Sequence, residues 1–289
     1  MNLIEADRRR YSAYYHDRKG EIANRQVVED WIGTMNGLGK DGRLSSAGTY
    51  SLASWKLFNS FEEHILYQDE DVLAINKPAW VISGSGDGQP EAGVVEIAQY
   101  FSGDVVLVNR LDRPTSGVIV LAKNEKAFAG VFAQFERTTG YQMSKVYRAI
   151  LEGQPRVLRT QFIDAELMPI VGGKMKFVPA KRPGTTPSRT IFNPLSTFES
   201  ASGKPRTFAE FELLTGRTHQ IRVVAAEYLG FPVCGDPLYD SGARDRDVPR
   251  LMLHSFSTTF MHPILSKELT ISAALPQDFA GMLPSGMSA

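Results

Sequence analysis

The stretch N-R-L-D-R-P-T-S-G, residues 109–117, constrains most strongly what this chain can fold into. It lies between two runs of strand length, V-V-L-V at 105–108 and V-I-V-L-A at 118–122, both rich in β-branched residues. Pro114 fixes its own φ and biases the residue before it toward an extended conformation, and the T-S-G that follows supplies turn chemistry. The pattern predicts a stiff polar connection that presents Asp112 between two strands.

Two guanidinium groups, those of Arg110 and Arg113, flank the Asp112 carboxylate in this connection. Connections on a rigid scaffold often carry reactive groups. From the spacing alone, however, the favoured interpretation of Asp112 is a turn residue with solvated arginine neighbours. The residues by themselves leave both interpretations open.

Length and cysteine content limit the classes of protein to consider. A chain of 289 residues can form one large catalytic domain with an extension, or two domains. The single cysteine, Cys234, excludes an internal disulfide and a cysteine-rich metal site, and its apolar neighbours predict a small core residue. The histidines show no H-x-x-x-H spacing, so we predict no zinc site.

The sequence shows no apolar leader segment at its N-terminus and no apolar run that approaches the length of a membrane span. We therefore expect a cytoplasmic protein that does not enter a membrane.

Charge is unevenly distributed along the chain. The net charge is zero, yet residues 109–222 hold 18 Lys and Arg against 9 Asp and Glu, a balance of +9, and the remainder holds 14 against 23. Because RNA binding depends mostly on phosphate contacts, a local basic face is enough for it. The alternative is that the basic residues scatter over several faces.

Residues 1–60 are predicted to form a partly helical N-terminal extension of unknown function, and residues 61–289 a catalytic domain. In the extension, apolar residues from Val27 to Met35 follow a loose helical spacing, and the Gly- and Ser-rich residues 36–48 indicate a loop or linker. After Phe61, two short β-like runs surround an acidic turn and end at Lys77.

Periodicity predicts several further elements. A helix capped by Asn124 carries an apolar face of core residues, namely Phe128, Val131, Phe132 and Phe135. Strands are predicted at 145–153 and 207–214. Residues 172–184 carry four basic residues and no acidic one, which predicts a mobile hairpin or loop that either contacts an RNA backbone or is simply solvated.

The segment T-G-R-T-H-Q-I-R, residues 215–222, opens a predicted helix with Thr218 as its N-cap and Gly230 as its stop. Arg217 and Arg222 stand at the start of this helix, where cations oppose the helix dipole. Such placement indicates a functional site that awaits an anion, either a phosphate or the Asp112 carboxylate. A salt bridge to a nearby glutamate is the alternative.

Three motifs, in this order along the chain, resemble those of the RluA-type pseudouridine synthases. They are R-L-D-x-x-T-S-G at 110–117, K-x-Y at 145–147 and G-R-T-H-Q-I-R at 216–222, and the resemblance extends from about Phe61 to Phe279. It implies an α+β fold, with a mixed, largely antiparallel sheet flanked by helices and a central RNA-binding cleft. It also implies an isomerase that converts uridine to pseudouridine in structured RNA.

The resemblance assigns roles to individual residues. It implies that Asp112 is the nucleophile, that Tyr147 stacks on the uracil, and that Arg222 pairs with Asp112 and keeps it ionised. The residues implied to bind RNA are Arg110, Arg113, Arg217, His219 and Gln220. His254 and His262 are expected to be structural. Two residues depart from the family pattern, because Asn109 and Val224 stand where histidines are common.

The implied reaction breaks the N1–C1′ bond of uridine and joins C5 to C1′. It needs no redox step, so no cofactor and no metal are expected. Asp112 would either attack C1′ or remove the C2′ proton, and the sequence leaves both routes open. We expect a monomer acting on ribosomal RNA, with transfer RNA as the second choice. The rival functions are a non-catalytic RNA-binding or RNA-folding protein on the same scaffold, and an unrelated hydrolase with a carboxylate nucleophile.

Overall fold

A computed structural model of the protein describes residues 29, 31–32, 46–84, 91–136, 140–240 and 247–287, with the backbone alone for 46–51. The chain divides into two compact units. Unit 1 comprises Met1–Met143 and Thr259–Ala273, and unit 2 comprises Ser144–Thr258 and Ala274–Ala289. The domain boundary predicted at residue 60 stays a prediction. Within the described residues, none of the helices has both the length and the apolar character needed to cross a membrane.

Unit 1 is built on antiparallel strands with helices against them. Its elements are α1 (Ser46–Asn59), a 3-10 turn (Phe61–His64), β1 (Ile65–Gln68), β2 (Val72–Lys77), α2 (Val94–Ser102), β3 (Val106–Leu107), β4 (Ser116–Ala122) and α3 (Glu125–Phe135). Strand β2 pairs antiparallel with β1 on one side and with β4 on the other, in a register that sets Lys77 opposite Gly117. Strand β3 pairs antiparallel with β4. This register brings the end of β2 beside the start of β4, directly after the 109–115 connection.

The predicted helix after the connection is confirmed as α3. The Asn124 side chain accepts a hydrogen bond from the backbone N–H of Ala127 at 2.9 Å, as expected of an N-cap. Phe128 and Val131 are fully buried and Phe132 nearly so, and they pack with the valines of β4. The aromatic stripe therefore belongs to the core of unit 1, as predicted.

The N-terminal region departs from its prediction in one respect. The linker expected at 36–48 is helical from Ser46 onward, since α1 begins there. The reason is tertiary: Phe58 of α1 packs against Tyr100 and Phe101 of α2, with ring centroids 5.2 and 5.0 Å away. Packing of this kind stabilises a helix that local composition does not favour. Trp31 is helical and buried, whereas residues 27, 28 and 35 lie outside the described part of the chain.

Unit 2 is a second run of antiparallel strands. Its elements are β5 (Ser144–Glu152), β6 (Gln161–Ile170), β7 (Lys174–Val178), β8 (Thr186–Glu199), β9 (Pro205–Leu213), α4 (Gln220–Val223) with a π-helical turn (Val224–Tyr228), and α5 (Gln277–Ala280). The strands follow the order β5-β9-β8-β6-β7, and each of these pairings is antiparallel. Strand β10 (Leu253–Met261) begins in unit 2 and ends in unit 1, where β11 (Glu268–Ser272) pairs with it.

These strands confirm most of the sequence-based expectations. The predicted strands at 145–153 and 207–214 are β5 and β9. Cys234 is fully buried, as expected of a small core residue. The 172–184 segment contains β7, which closes a hairpin with β6. The predicted α+β class with a largely antiparallel sheet is confirmed.

The start of α4 was predicted at the wrong residue. His219, not Thr218, occupies the N-cap, and its backbone is left-handed with φ 54°. The turn is closed instead by the side chain of Gln220, whose Oε1 accepts a hydrogen bond from the backbone N–H of Arg217 at 3.0 Å. A side chain inside the helix thus replaces the cap that Thr218 was expected to supply. Gly230 does adopt positive φ after the helical turns, as predicted.

Candidate functional site

Asp112 lies on the connection between β3 and β4 of unit 1. Along this connection burial alternates: Asn109 and Leu111 are buried, whereas Arg110 is exposed and Asp112 is half-buried. Alternation with a period of two is that of an extended chain with one face against its support. The connection therefore turns Arg110 and Asp112 away from the core of unit 1.

Hydrogen bonds to the backbone hold this connection on its buried side. Ser83 Oγ donates to Leu111 O at 2.8 Å and accepts from Leu111 N at 2.9 Å. The Asn109 side chain accepts from Val120 N of β4 at 3.0 Å. Asn109 is one of the two residues that stand where histidines are common. In this structure its side-chain amide anchors the connection to β4.

A fully buried lysine fixes the connection just after Asp112. Lys77 Nζ donates to three backbone carbonyls, those of Val81 at 2.7 Å, Pro78 at 3.0 Å and Arg113 at 3.1 Å. The Arg113 carbonyl also accepts from the backbone N–H of Trp80 at 2.7 Å, and Trp80 has the unusual φ of 73°. Asp112 is thus bracketed by Leu111 and Arg113, both of which are tied to the scaffold.

The two arginines that flank Asp112 differ in placement. Arg110 is exposed. Arg113 Nη2 lies 2.5 Å from Oε1 of the buried Glu91, so this guanidinium balances a carboxylate within unit 1. Burial raises the pKa of the Glu91 carboxyl, and the Arg113 guanidinium works against that rise.

Tyr147 lies on β5 of unit 2 and is 6 % exposed. Its register partner is Phe211 on β9, and Phe211 in turn pairs with Phe192 on β8. Residues opposite one another in register share a face of the sheet. The tyrosine therefore stands at the end of a row of buried aromatic rings, which fixes its position.

Arg222 is buried on α4, and an acid in unit 2 holds its guanidinium. Nε donates to Asp236 Oδ2 and Nη2 donates to Asp236 Oδ1, both at 2.7 Å. Tyr239 lies against the guanidinium, with its ring centroid 5.3 Å from Cζ. The predicted pairing of Arg222 with Asp112 stays a prediction, and the glutamate alternative is replaced in this unit by Asp236.

The residues before Arg222 fall into two groups. Arg217 and Thr218 are exposed, and Arg217 Nε donates to Pro187 O at 3.0 Å. His219 is half-buried and shares a 2.9 Å hydrogen bond between its Nδ1 and the Tyr239 hydroxyl. The structure thus brings Arg217, His219 and Arg222 onto one turn.

Gln220 belongs to the buried group of this turn, at 2 % exposure. Its Oε1 accepts from Thr215 Oγ1 at 2.8 Å, and its Nε2 donates to Arg189 O at 3.0 Å and to Thr190 Oγ1 at 2.9 Å. Both ends of the amide are used within unit 2. We therefore give Gln220 the role of fixing the turn.

One cluster in unit 1 has the composition of a metal site. Single ligand atoms of Asp69, Asp71 and His262 lie within 4.8 Å of one another. His262 Nδ1, however, accepts from the backbone N–H of Leu265 at 3.1 Å, and its Nε2 lies 2.9 Å from Asp69 Oδ2. Lys123 Nζ donates to the Asp69 carbonyl at 2.6 Å. Its positive charge would repel a metal ion bound at this cluster. The donor set is engaged within the protein, in accord with the structural role predicted for His262.

Sequence reasoning missed four residues that hold the candidate site: Lys77, Ser83, Asp236 and Tyr239. For the last two a signal was present, because G-D-P-L-Y at 235–239 places an acid and an aromatic residue in a turn with no periodic pattern to explain them. No local pattern indicates that a residue 14 positions after Arg222 is its ion-pair partner.

The sequence of this chain matches a known protein family and several of its members. The sequence model of the family described as RNA pseudouridylate synthase matches residues 71–227. The uncharacterized RNA pseudouridine synthase YhcT of Bacillus subtilis is 34% identical over 278 residues, which cover 90% of this chain and 88% of that protein. Ribosomal large subunit pseudouridine synthase C of Pasteurella multocida is 32% identical over 237 residues, covering 78% of this chain and 68% of that protein.

Among solved structures, Human RNA Pseudouridylate Synthase Domain Containing 4 matches with a TM-score of 0.61 at 24% sequence identity. The match covers 80% of this chain and 95% of that chain. At this identity the likeness concerns the fold.

Proposed function

Because this chain belongs to the RNA pseudouridylate synthase family, we propose that Asp112 is its nucleophile and that Tyr147 and Arg222 complete the catalytic set. The chain is an isomerase that converts uridine to pseudouridine in RNA.

The observation that carries the proposal is the way Asp112 is presented. Its neighbours Leu111 and Arg113 are tied through their backbones to Ser83 and Lys77, and the carboxylate itself is half-buried beside the exposed Arg110. A reacting group held on a rigid backbone needs little reorganisation before it meets its substrate. A plain turn residue does not need support on both sides.

Tyr147 and Arg222 carry the chemical groups that the reaction requires. A tyrosine offers a face for stacking on a base and a hydroxyl that can exchange a proton. A guanidinium near a carboxylate keeps it ionised, which either route to pseudouridine requires of Asp112.

The bonds and protons of the reaction balance without an external oxidant or reductant. The N1–C1′ bond breaks, the uracil turns while it is bound, C5 joins C1′, and the proton lost from C5 is matched by one gained at a ring nitrogen. Attack of Asp112 on C1′ and removal of the C2′ proton both remain possible first steps. The target nucleotide must leave its stack to reach the nucleophile.

For the RNA contacts we propose Arg110, Arg217 and His219. The first two are exposed and cationic, as phosphate contacts require, and His219 lies beside Arg217 on the same turn. The two other residues predicted to bind RNA have structural roles in this proposal: Gln220 fixes the turn, and Arg113 balances Glu91. We propose ribosomal RNA as the substrate, since several relatives carry that name, with transfer RNA as the second choice, and a monomer acting in the cytoplasm.

The first experiment maps pseudouridines by carbodiimide modification of total RNA. Three strains are compared: one with the gene, one without it, and one carrying Asp112→Asn. We expect at least one site to be lost in both the deletion and the variant, and that site names the substrate. Asp104→Asn serves as the control, because Asp104 is an exposed acid shortly before the connection.

Binding of the mapped RNA to purified Asp112→Asn protein completes the design. Retained binding without modification assigns the carboxylate to the chemistry. A pseudouridine map that is identical in all strains overturns the proposal and favours the non-catalytic RNA-binding function.

A further inference from the structure

The ion pair between Arg222 and Asp236 is unusual in how completely both partners are fixed. The side chains are 3% and 0% exposed, and the two hydrogen bonds of 2.7 Å join the Nε and Nη2 edge of the guanidinium to both carboxylate oxygens. Asp236 Oδ1 also accepts from the backbone N–H groups of Leu238 at 2.8 Å and Tyr239 at 3.2 Å. The carboxylate is therefore oriented by its own turn, independently of the arginine.

Tyr239 adds a second restraint on the same guanidinium. Its ring packs against Arg222, and its hydroxyl accepts from the backbone N–H of Met175 on β7 at 2.8 Å and shares the hydrogen bond with His219 Nδ1. Met175 is on the edge strand of the basic hairpin formed by β6 and β7. One side chain thus joins Arg222, the turn before it and that hairpin.

Stability alone does not explain this arrangement. Buried ion pairs contribute little net stability, because removing two charges from water offsets most of their attraction. What a buried bidentate pair does supply is geometry: rotation of the guanidinium breaks both bonds at once. A long side chain with several rotatable bonds is held in one orientation at its tip.

We propose that Asp236 and Tyr239 are positioning residues of the pseudouridine synthase reaction, which act by fixing the orientation of the Arg222 guanidinium. This inference rests on the proposed function, in which Arg222 takes part in the chemistry. Asp236 holds the Nε and Nη2 edge, and Tyr239 holds the face of the group.

The test uses the full chain and the RNA named by pseudouridine mapping. Asp236→Asn keeps the size of the side chain and removes its charge, and we expect kcat to fall by about 10- to 100-fold with KM for RNA changed by less than about threefold. Tyr239→Phe keeps the ring but loses the bonds to Met175 and His219, and we expect a smaller fall in kcat than for Tyr239→Leu.

The protein supplies a matched control in the same unit. Arg250 and Asp278 form a second bidentate pair, with Nε to Oδ2 at 2.6 Å and Nη2 to Oδ1 at 3.0 Å, and Arg250 is 4 % exposed. Asp278 is 42% exposed, unlike Asp236, so Asp278→Asn removes a less buried bidentate pair of the same unit that lies outside the proposed catalytic set. We expect it to lower the unfolding midpoint and to leave kcat within about twofold.

A double-mutant cycle with Arg222→Lys separates positioning from a merely structural role. If Asp236 acts through Arg222, then Asp236→Asn should cost much less in the Arg222→Lys background than alone. Equal costs in both backgrounds, an unchanged kcat for Asp236→Asn, or an equal fall for Asp278→Asn would each overturn the inference. Should Asp236→Asn fail to fold, Tyr239→Leu, which removes the ring that packs against Arg222, carries the same cycle.

The outcomes also distinguish failure of this inference from failure of the proposed function on which it rests. Full activity of Asp112→Asn or Arg222→Lys removes the proposed catalytic set and the inference with it. Loss of activity in both, together with full activity of Asp236→Asn, removes the inference alone.

Discussion

The Asp112 connection in unit 1 and the Arg222 turn in unit 2 are held by opposite means. In the first, the protein fixes the backbone: Ser83 binds Leu111 on both its N–H and its carbonyl, and Lys77 binds the carbonyl of Arg113. In the second, it fixes the tip of the side chain, since Asp236 takes two of the guanidinium nitrogens of Arg222.

The difference follows from the side chains themselves. An aspartate has a short side chain, so fixing the backbone almost fixes the carboxylate. An arginine loses up to about 2 kcal/mol of rotamer entropy when it is ordered, and only contacts at the guanidinium hold its orientation. A fixed backbone is enough for a short reacting group, whereas a long one needs partners of its own.

Gly235→Ala should have the largest effect and should act on the Arg222 side of the comparison. Gly235 has φ +72°, and an added Cβ would lie 2.1 Å from the carbonyl oxygen and 2.7 Å from the carbonyl carbon of Arg250. Relief requires movement of the turn that carries Asp236. We expect a loss of about 4 kcal/mol in the free energy of unfolding, measured by urea denaturation, and loss of activity in the folded fraction.

Gly230→Ala is the control for that substitution. Gly230 has nearly the same φ, +75°, but no atom lies within 4 Å of the added Cβ. We expect only the cost of left-handed backbone, about 1–2 kcal/mol. Equal losses for the two variants would show that backbone strain, and not displacement of Asp236, explains the effect at Gly235.

Lys77→Met should have the next largest effect and should act on the Asp112 side. Methionine fills a similar volume but leaves the carbonyls of Pro78, Val81 and Arg113 without this donor. We expect a loss of about 2–3 kcal/mol in the free energy of unfolding and a fall of about tenfold or more in kcat. Chemical denaturation and single-turnover kinetics measure the two effects separately.

Lys126→Met is the control, because it makes the same substitution at an exposed position of α3. We expect it to change neither the free energy of unfolding nor kcat. If Lys77→Met loses stability but keeps its full kcat, then the connection is not positioned by its backbone. The contrast between the two regions would then fail.

The sequence could predict the Asp112 side more fully than the Arg222 side. The strands on either side of the connection, the Asn124 cap and the aromatic face of α3 are local patterns, and each of them was predicted. Local hydrogen bonding and hydrophobic periodicity decide such elements, so a few neighbouring residues are enough to indicate them.

The parts that could not be predicted depend on contacts between distant residues. Gln220 closes its turn partly through Arg189 and Thr190, some 30 positions earlier, and so Thr218 is not the cap. Helix α1 forms through packing on α2 and not through its own composition. Asp236 was not predicted as an ion-pair partner of Arg222, because the turn that places it there leaves no periodic signal.

Arg113→Gln should have the smallest effect of the three substitutions. It tests whether Arg113 stabilises unit 1 by balancing Glu91 or binds RNA. Burial already raises the pKa of Glu91 above its ordinary 4.5, and Arg113 opposes that rise. An acid whose pKa is raised in the folded state makes its full contribution to stability below its unfolded pKa. That contribution is lost as pH rises through the folded pKa. Removing Arg113 raises the folded pKa further, so the loss grows toward neutral pH.

We therefore expect Arg113→Gln to be less stable than the parent by about 1–2 kcal/mol at pH 8 and by clearly less at pH 5, as measured by urea denaturation at both values. In the double variant with Glu91→Gln the difference between the two pH values should disappear, since no carboxyl remains to titrate at that position. A deficit that is the same at pH 5 and pH 8, accompanied by a raised KM for RNA, would instead return Arg113 to the RNA-binding role that the sequence predicted. In that case the Asp112 connection would be held by the contacts of Lys77, Ser83 and Asn109, without a contribution from the pair of Arg113 and Glu91.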